Sequence, residues 1–261
     1  DARVPQSPLK SHPKIKNIIA VGSGKGGVGK SSTTVNLALA LRAQGAAVGI
    51  LDADIYGPNV PVMLGIKEKP QTNENKQFIP LARYGISSMS MGYLIEPDTP
   101  MAWRGPMISS ALTQLLNDTL WGRLDYLLID LPPGTGDIVL TMAKKIPVTG
   151  AVIVTTPQDV ALLDATKAIQ MFKKTGIPIL GVVENMATHV CTACGHLDPV
   201  FGESGGADLS DVFKVPLLGQ LPLSRNIRED LDAGTPTVIK APGGPLALIY
   251  DALALNLAAA C

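Results

Sequence analysis

The sequence lacks several features that mark particular classes of protein. Its 261 residues include 22 lysines and arginines against 22 aspartates and glutamates, so the formal net charge is zero. Balanced charge argues against a protein whose main role is to bind nucleic acid or an anionic membrane surface. No apolar run approaches the roughly 18 residues that a membrane-spanning helix needs. We therefore expect no nucleic-acid partner and no membrane partner.

Cysteine and aromatic residues are also scarce. Three cysteines in 261 residues do not make a disulfide framework and suit a reducing compartment, so we expect a cytoplasmic location. Aromatic residues make up 4% of the sequence and hydrophobic residues 46%, so the core must consist mainly of valine, isoleucine, leucine and alanine. Such a core is typical of a parallel sheet covered by helices.

The most informative stretch is a glycine-rich loop near the N-terminus. It follows the apolar run 18–21 and precedes a segment of helical periodicity, and residues 24–31 match the pattern G-x-x-x-x-G-K-[ST]. Strand, loop and helix are the context in which this pattern binds nucleotide phosphates. We assign these residues to a nucleotide: Gly22, Ser23, Gly24, Lys25, Gly26, Gly27, Val28, Gly29, Lys30, Ser31 and Ser32.

Each residue type in this loop has a physical task. Gly26, Gly27 and Gly29 let backbone N–H groups approach phosphate oxygens without hindrance from a Cβ. The N-terminus of the following helix adds partial positive charge. Lys30 is expected to reach the β- and γ-phosphates of ATP, and the Ser31 hydroxyl is expected to ligate Mg²⁺.

Lys25 is surplus to a loop that only cradles phosphate. The motif K-G-G-x-G-K-[ST] formed by residues 25–31 resembles the deviant Walker A group, which includes MinD and the nitrogenase iron protein. The resemblance implies that Lys25 crosses a dimer interface and contacts the phosphates bound by the partner. The alternative is a solvated loop lysine with no special role.

Carboxylates follow two predicted buried strands. Asp52 and Asp54 come after the apolar run 46–51, and Asp130 ends the run 125–129. Ligands of open α/β sheets bind at the carboxyl ends of the strands, so these side chains are expected at one site. Asp54 is the candidate for positioning the attacking water, Asp52 for supporting the magnesium shell or the loop, and Asp130 for holding Mg²⁺ through water. The alternative for Asp52 and Asp54 is that they cap the next turn.

A second group of residues is predicted to form the pocket for the nucleobase. Asn185 follows a buried strand and offers a donor and an acceptor to a base edge. Pro222, Leu223 and Arg225 follow a short strand at 217–219 and are candidates for the opposite wall.

The order of elements predicts the fold class. Buried strands at 150–155 and 179–183 flank a helix at 159–175, which indicates a right-handed parallel crossover. We predict an α/β P-loop NTPase with a doubly wound, mostly parallel sheet and helices on both faces. Residues 1–16 are rich in proline, serine and lysine and are expected to form a flexible leader, with residues 17–261 as a single domain.

Cys191 and Cys194 form a C-x-x-C motif in a turn-rich stretch. Two thiolates at this spacing bind one metal centre but supply only half of a four-thiolate site. A two-fold dimer would bring the missing pair from its partner. The spacing leaves three alternatives open, namely a zinc site that recruits His189 and His196, a redox dithiol, and two unliganded thiols.

Several motifs in register closely resemble the Mrp/ApbC family of ATP-hydrolysing iron–sulfur cluster carriers. The likeness runs from about Lys14 to Leu257. It implies a homodimer that binds ATP and Mg²⁺ and holds a [4Fe–4S] cluster between its subunits through Cys191 and Cys194. It also implies a cluster assembly scaffold and apo iron–sulfur client proteins as partners. The motifs that carry it are the early-lysine loop, L-D-A-D-I-Y-G-P-N, W-R-G-P-M, D-L-P-P-G-T-G-D, E-N-M, C-x-x-C-G and F-G-x-x-G-G.

Two other functions are weighed against a cluster carrier. One is a MinD-like or partitioning ATPase that acts as a positioning switch, and the other is a zinc-stapled regulatory NTPase. The first needs a membrane-binding tail or a basic patch for DNA, but residues 252–261 contain no basic residue and the net charge is zero. A weak ATPase that carries an iron–sulfur cluster is therefore the favoured hypothesis.

Overall fold

The computed structural model describes residues 11–55, 57–94, 105–134, 136, 139–140, 142, 145–191 and 193–261. Residues 1–10 of the expected leader, Trp103 and Arg104 of the W-R-G-P-M motif, and Thr135 and Asp137 of the D-L-P-P-G-T-G-D motif lie outside the described residues. The strands of the main sheet are β1 (Ile15–Gly22), β2 (Val48–Asp52), β3 (Leu81–Arg83), β4 (Ile86–Ser90), β5 (Leu124–Asp130), β6 (Gly150–Thr155), β7 (Ile179–Glu184) and β10 (Leu217–Gln220). Two short strands, β8 (His189–Val190) and β9 (Leu197–Asp198), pair as a separate hairpin.

The helices of the described chain lie between these strands and after them. Those whose bounds are given by the described residues are α1 (Lys30–Ala43), α2 (Val60–Met63), α3 (Gly105–Asp118), α4 (Asp159–Lys174), α5 (Gly205–Phe213), α6 (Arg225–Asp232), α7 (Thr237–Lys240) and α8 (Pro245–Ala260). A 3₁₀ turn follows β4 at Met91–Tyr93. No helix among the described residues combines the length and hydropathy that crossing a membrane requires.

The predicted fold class is confirmed by the strand order. The main sheet reads β10-β7-β6-β1-β5-β2-β4-β3, so it extends in both directions from β1. Its pairs are parallel except for β3 with β4. The expected parallel crossover joins β6 to β7 through α4. The carboxyl ends of the parallel strands therefore meet at one edge, where the loops after β1, β2, β5 and β7 come together.

Burial explains why these segments form a covered sheet. Every residue of β2 and of β6 is buried, and neither strand alternates between apolar and polar residues. This continuous burial is expected where helices cover both faces of a sheet. The first helix, α1, is itself buried along almost its whole length, with exposure confined mainly to its C-terminal end. The glycine-rich loop is thus held between a buried strand and a buried helix.

The start of the first strand differs from the expected boundary at residue 17. Strand β1 begins at Ile15, whose side chain is buried, and the Lys14 carbonyl accepts a hydrogen bond from the Leu124 N–H at 2.9 Å. A single apolar residue within a polar stretch gives little signal in the sequence, because its burial depends on pairing with the distant β5.

The position of the glycine-rich loop against α4 generates a stability prediction. A Cβ on Gly24 would overlap the backbone carbonyl of Asp164, whereas a Cβ on Gly26 would have Pro133 Cγ as its nearest neighbour, at an ordinary 3.9 Å. We expect Gly24→Ala to lower the free energy of unfolding by about 2–3 kcal/mol, since backbone cannot move aside as a flexible side chain can. Gly26→Ala, the matched control, should change it by less than about 0.5 kcal/mol. Urea denaturation of the nucleotide-free proteins measures both, and equal effects would show that α4 does not fix the loop.

Candidate functional site

A cavity of about 590 Å³ lies at the carboxyl edge of the parallel strands. The glycine-rich loop forms one side of it, and the segments that follow β2, β7 and β10 form the others. A cavity of this size, with loops of several parallel strands around it, suits a nucleotide-sized ligand. The predicted site residues that line it are Ser23, Lys25, Gly26, Gly27, Val28, Gly29, Lys30, Ser31, Ser32, Asp54, Asn185, Pro222, Leu223 and Arg225.

Other predicted residues lie outside the cavity lining. Gly22 and Gly24 pack against α4, where added Cβ atoms would meet Phe172 and the backbone of Asp164. Asp52 and Asp130 are completely buried at the ends of their strands. Cys191 and Cys194 lie apart from the cavity lining, in the turn between β8 and β9.

The glycine-rich loop adopts a conformation that specifically requires glycine at two positions. Gly27 and Gly29 have φ angles of 80° and 81°, in the left-handed region that side-chain-bearing residues rarely adopt. Gly29 is also the N-cap residue of α1, and a Cβ there would overlap the side-chain amide of Asn185. The loop therefore presents its backbone to the cavity at the N-terminus of α1, where partial positive charge favours an anion.

A buried polar cluster lies directly beneath this loop. Lys30 Nζ is 2.8 Å from Asp130 Oδ1, and the two side chains are 6% and 0% exposed. The other carboxylate oxygen accepts a hydrogen bond from the Ser31 hydroxyl, and Thr34 Oγ1 donates to Oδ1 at 2.9 Å. The structure thus brings together the lysine, the hydroxyl and the carboxylate that the sequence places 100 residues apart in the chain. Thr34 was not predicted, although it lies one helical turn after Ser31.

Asp52 holds the loop after β2 in place. Its Oδ1 accepts the Asp54 N–H at 3.1 Å, and its Oδ2 accepts the Ser90 hydroxyl at 2.9 Å and the Val60 N–H at 3.3 Å. Burial and the charge of nearby Asp130 raise the pKa of the Asp52 carboxyl to about 8, although the hydrogen bonds from Ser90 and Asp54 and the charge of Lys30 act to lower it. Of the two roles expected for Asp52, this geometry supports the anchoring of the loop.

Asp54 and Lys25 both face the cavity. Asp54 is 8% exposed and lies at the carboxyl end of β2, two residues beyond Asp52. Lys25 is partly exposed in the glycine-rich loop, where the Ser23 hydroxyl donates to its carbonyl at 2.9 Å. A carboxylate and a cation therefore border the same ligand space.

Asn185 braces the glycine-rich loop in addition to lining the cavity. Its amide Nδ2 donates to the Val28 carbonyl at 2.8 Å, and its Oδ1 accepts the Met186 N–H at 2.9 Å. An amide has two N–H donors and two acceptor lone pairs, so these bonds use half of its capacity. The predicted contact with a nucleobase is thus compatible with the bracing role that the structure adds.

Several cavity residues were missed by the sequence analysis. Most of them lie on α6 or at α2, one lies on α8, and Met186 directly follows Asn185 after β7. The packing of separate helices brings most of them to the cavity, and such packing leaves no local signal in the sequence. The helix α6 does begin at Arg225, a predicted site residue, so its first turns could have been included. The missed residues are Asn59, Met63, Met186, Ile227, Arg228, Leu231, Asp232 and Tyr250.

The two cysteines of the C-x-x-C motif lie in the hairpin turn. The Cys191 N–H donates to the His196 carbonyl at 2.9 Å, and the Gly195 N–H donates to the Cys191 carbonyl at 2.8 Å. Cys191 is partly exposed and Cys194 is exposed. Hydrogen bonds from the N–H groups of Ala193 and Cys194, followed by the Cys194 thiol, lower the pKa of the Cys191 thiol. An accessible sulfur whose anionic form is favoured suits a metal ligand.

The two histidines near the motif do not complete a metal site within the described part of one chain. No group of three or more histidine, cysteine, aspartate or glutamate side chains in that part is arranged to hold a metal ion. His189 Nδ1 is instead 3.2 Å from the Leu223 carbonyl, and His196 is exposed. Within the described residues, one chain therefore offers two thiols at this turn and no third ligand arranged beside them.

The doubly wound sheet, the glycine-rich loop and the Lys30–Asp130 cluster define a P-loop NTPase. A nucleotide-binding protein from Archaeoglobus fulgidus, solved in complex with ADP, superposes with a TM-score of 0.77 at 38% identity, covering 90% of this chain and 91% of that one. The cell division ATPase MinD from Pyrococcus furiosus superposes with a TM-score of 0.70 at 25% identity, covering 94% of this chain and 100% of its own.

The family within this class is also established. The family described as "ParA: NUBPL iron-transfer P-loop NTPase" matches residues 14–258. An iron–sulfur cluster carrier protein from Pseudomonas fragi is 57% identical over 253 residues, which cover 96% of this chain and 88% of that protein. The chain belongs to this family of iron–sulfur cluster carrier P-loop NTPases, and the expected resemblance is confirmed.

The buried ion pair beneath the loop leads to a prediction about stability. Lys30→Met should lower the free energy of unfolding by about 3 kcal/mol, because it leaves the charge of Asp130 buried without a cation. Asp130→Asn should also destabilise, and the double variant should lose less than the sum of the two. Urea denaturation without nucleotide measures the free energy of unfolding of the wild-type protein, the two single variants and the double variant, which together form a double-mutant cycle.

A surface ion pair serves as the control for this cycle. Lys16 pairs with Asp125, with side chains 76% and 32% exposed. Lys16→Met should change the free energy of unfolding little, because water hydrates the Asp125 carboxylate when the lysine is removed. If Lys16→Met and Lys30→Met lower the free energy of unfolding equally, the buried pair stabilises the fold no more than the surface pair does.

Proposed function

We propose that this protein is an ATP-binding, weakly ATP-hydrolysing carrier that binds a [4Fe–4S] cluster between two copies of the chain. It would work in a reducing compartment such as the cytoplasm, take the cluster from an assembly scaffold and deliver it to apo iron–sulfur proteins. One observation carries the proposal. The chain joins a cavity bordered by the glycine-rich loop to an accessible C-x-x-C hairpin, and the described residues supply two of the four thiols that a four-thiolate site needs.

The cavity supports ATP with Mg²⁺ as its ligand. Lys30 lies at the N-terminus of α1, from where it would neutralise the β- and γ-phosphates. Ser31 and Asp130 place a hydroxyl and a carboxylate side by side, and such hard oxygen donors fit Mg²⁺, which would neutralise charge on the phosphates. Asp54, at the edge of the same cavity, would position the attacking water.

Lys25 supports a site shared by two chains. Lys30 would already supply a cation to the local phosphate site, and Lys25 lies in the part of the loop that is partly exposed. A cation at that position is suited to reach phosphates bound by a second copy across a two-fold axis. The nucleotide would then stabilise the dimer that holds the cluster.

The hairpin supports a cluster held between two chains. Two thiolates from each copy would make the four that a [4Fe–4S] cluster uses. Val190 and Leu197, which flank the turn, are 46% and 61% exposed. Apolar side chains beside an incomplete ligand set favour a contact with a second copy, which would cover them. Exposure of the thiols also suits a cluster that must be released.

The shared nucleotide site is tested by complementation. Lys25→Ala should bind ATP in its own subunit but lose hydrolysis, and Asp54→Asn should be inactive for lack of the water-positioning carboxylate. When the two are mixed, one site in each heterodimer has both side chains, so hydrolysis should return. Phosphate release and calorimetric ATP binding measure the outcome. Failure to restore hydrolysis, with heterodimers shown to form, would assign Lys25 a purely local role.

The cluster assignment is tested by metal content. Anaerobic reconstitution should saturate near one four-iron cluster per dimer, and cluster and dimer should be lost together in Cys191→Ala or Cys194→Ala. Cys261→Ala is the matched control and should change neither, because Cys261 lies at the exposed C-terminus away from the motif. Iron, sulfide and zinc analysis beside mass in solution provides the readout. One tightly held zinc per chain, unchanged by iron and sulfide, would favour the zinc-stapled NTPase instead.

A further inference from the structure

The pairing of β7 with β10 continues beyond the main sheet toward the cysteine hairpin. The Leu221 N–H donates to the Glu184 carbonyl at 2.8 Å, and the Ala187 N–H donates to the Leu221 carbonyl at 2.9 Å. The Leu223 N–H then donates to the Thr188 carbonyl at 2.8 Å. Backbone hydrogen bonds therefore connect the two segments from the end of β7 to the residue that precedes β8.

His189 lies at the end of these hydrogen bonds. It makes a parallel β-bridge with Leu223, and its ring Nδ1 lies 3.2 Å from the Leu223 carbonyl oxygen. A carbonyl only accepts, so Nδ1 must carry the proton of this bond. Cys191 lies two residues after His189, just beyond β8. Its N–H donates across the hairpin to the His196 carbonyl. Little chain separates the imidazole contact from the first thiol.

Leu223 belongs at the same time to the wall of the nucleotide cavity. Pro222, Leu223 and Arg225 line that wall, and α6 begins at Arg225. The start of the segment that leads to the hairpin is attached to the cavity as well, because Asn185 donates to the Val28 carbonyl of the glycine-rich loop. The segment 185–191 is thus tied to the cavity at its beginning through Asn185 and near its end through His189.

We propose that His189 is a positioning residue that couples nucleotide binding to the cysteine hairpin. A nucleoside diphosphate or triphosphate that contacts Pro222–Arg225 restricts the motion of this wall. Through the contact between His189 and Leu223, the turn holding Cys191 and Cys194 becomes less mobile as well. The bound nucleotide then limits local opening of the hairpin. This inference rests on the proposed nucleotide site, but it does not depend on which metal the thiols hold. An alternative role for His189 is general support of the fold, which would not respond to nucleotide.

The test measures thiol alkylation in reduced, metal-free protein with and without saturating MgADP. Iodoacetamide labelling followed by peptide mass spectrometry reports each cysteine separately, and Cys261 is the internal reference. We expect MgADP to slow labelling of Cys191 and Cys194 about fivefold, the low end of typical coupling between two sites, and to leave Cys261 unchanged. His189→Leu should abolish the effect of MgADP, because leucine has no donor for the Leu223 carbonyl.

Two further variants distinguish coupling from loss of structure. His189→Asn should keep the response, since its amide N–H can donate from nearly the position of Nδ1. His196→Ala removes the other histidine of the hairpin, whose ring is exposed, and should also keep the response. If Cys191 and Cys194 of His189→Leu are alkylated rapidly both with and without MgADP, the His189→Asn variant decides the question. Slower alkylation of His189→Asn with MgADP supports the coupling. No effect of MgADP on folded His189→Asn contradicts it.

Calorimetric titration of MgADP into each variant separates the possible failures. Absence of MgADP binding to the wild-type protein would overturn the proposed nucleotide site. Normal binding with unchanged labelling of Cys191 and Cys194 would leave that site intact and overturn the coupling. Normal binding with a full response in His189→Leu would show that the hairpin is coupled without His189.

Discussion

The geometry of the candidate site depends on one buried interaction, the contact of Lys30 with Asp130. Both side chains are withdrawn from water, so each needs the other and the surrounding hydroxyls to satisfy its charge. Lys30 is the first residue of α1, and Asp130 is the last residue of β5, the neighbour of β1 in the sheet. The pair therefore joins α1, the helix that follows the glycine-rich loop, to β5 in the centre of the sheet. The same groups that stabilise this junction are those suited to phosphate and Mg²⁺.

The proposed cluster site differs from this buried ion pair because its two thiols are accessible to solvent. The turn with Cys191 and Cys194 lies on a two-stranded hairpin, and an isolated hairpin of this kind is only marginally stable in water. Its attachment to the sheet comes through the hydrogen bonds beyond β7 and β10 and through His189. A cavity next to buried charged groups and an accessible pair of thiols are thus built on adjoining stretches of chain. This arrangement suits a carrier, because a cluster that must leave cannot be enclosed in a core.

The sequence predicted those parts of the molecule whose information is local. Gly24–Ser31 and the carboxylates at the ends of β2 and β5 were recognisable because strand ends, glycine spacing and residue type all lie within a few residues of one another. The doubly wound sheet followed from the order of apolar runs. The start of β1 at Ile15 was missed, because only the pairing with β5 buries that residue.

Features that depend on long-range packing were not predictable in the same way. The sequence does not show that Asn185 bonds to Val28, 157 positions away along the chain. Nor does it show that α6 and Tyr250 border the cavity. These contacts arise where a side chain meets backbone from another element, and such encounters leave no periodic signal. They are also the contacts that join the two candidate sites, through Asn185 at the loop and Leu223 at the wall. A motif search identifies each candidate site separately, while the contacts that lie between them have to be derived from the fold.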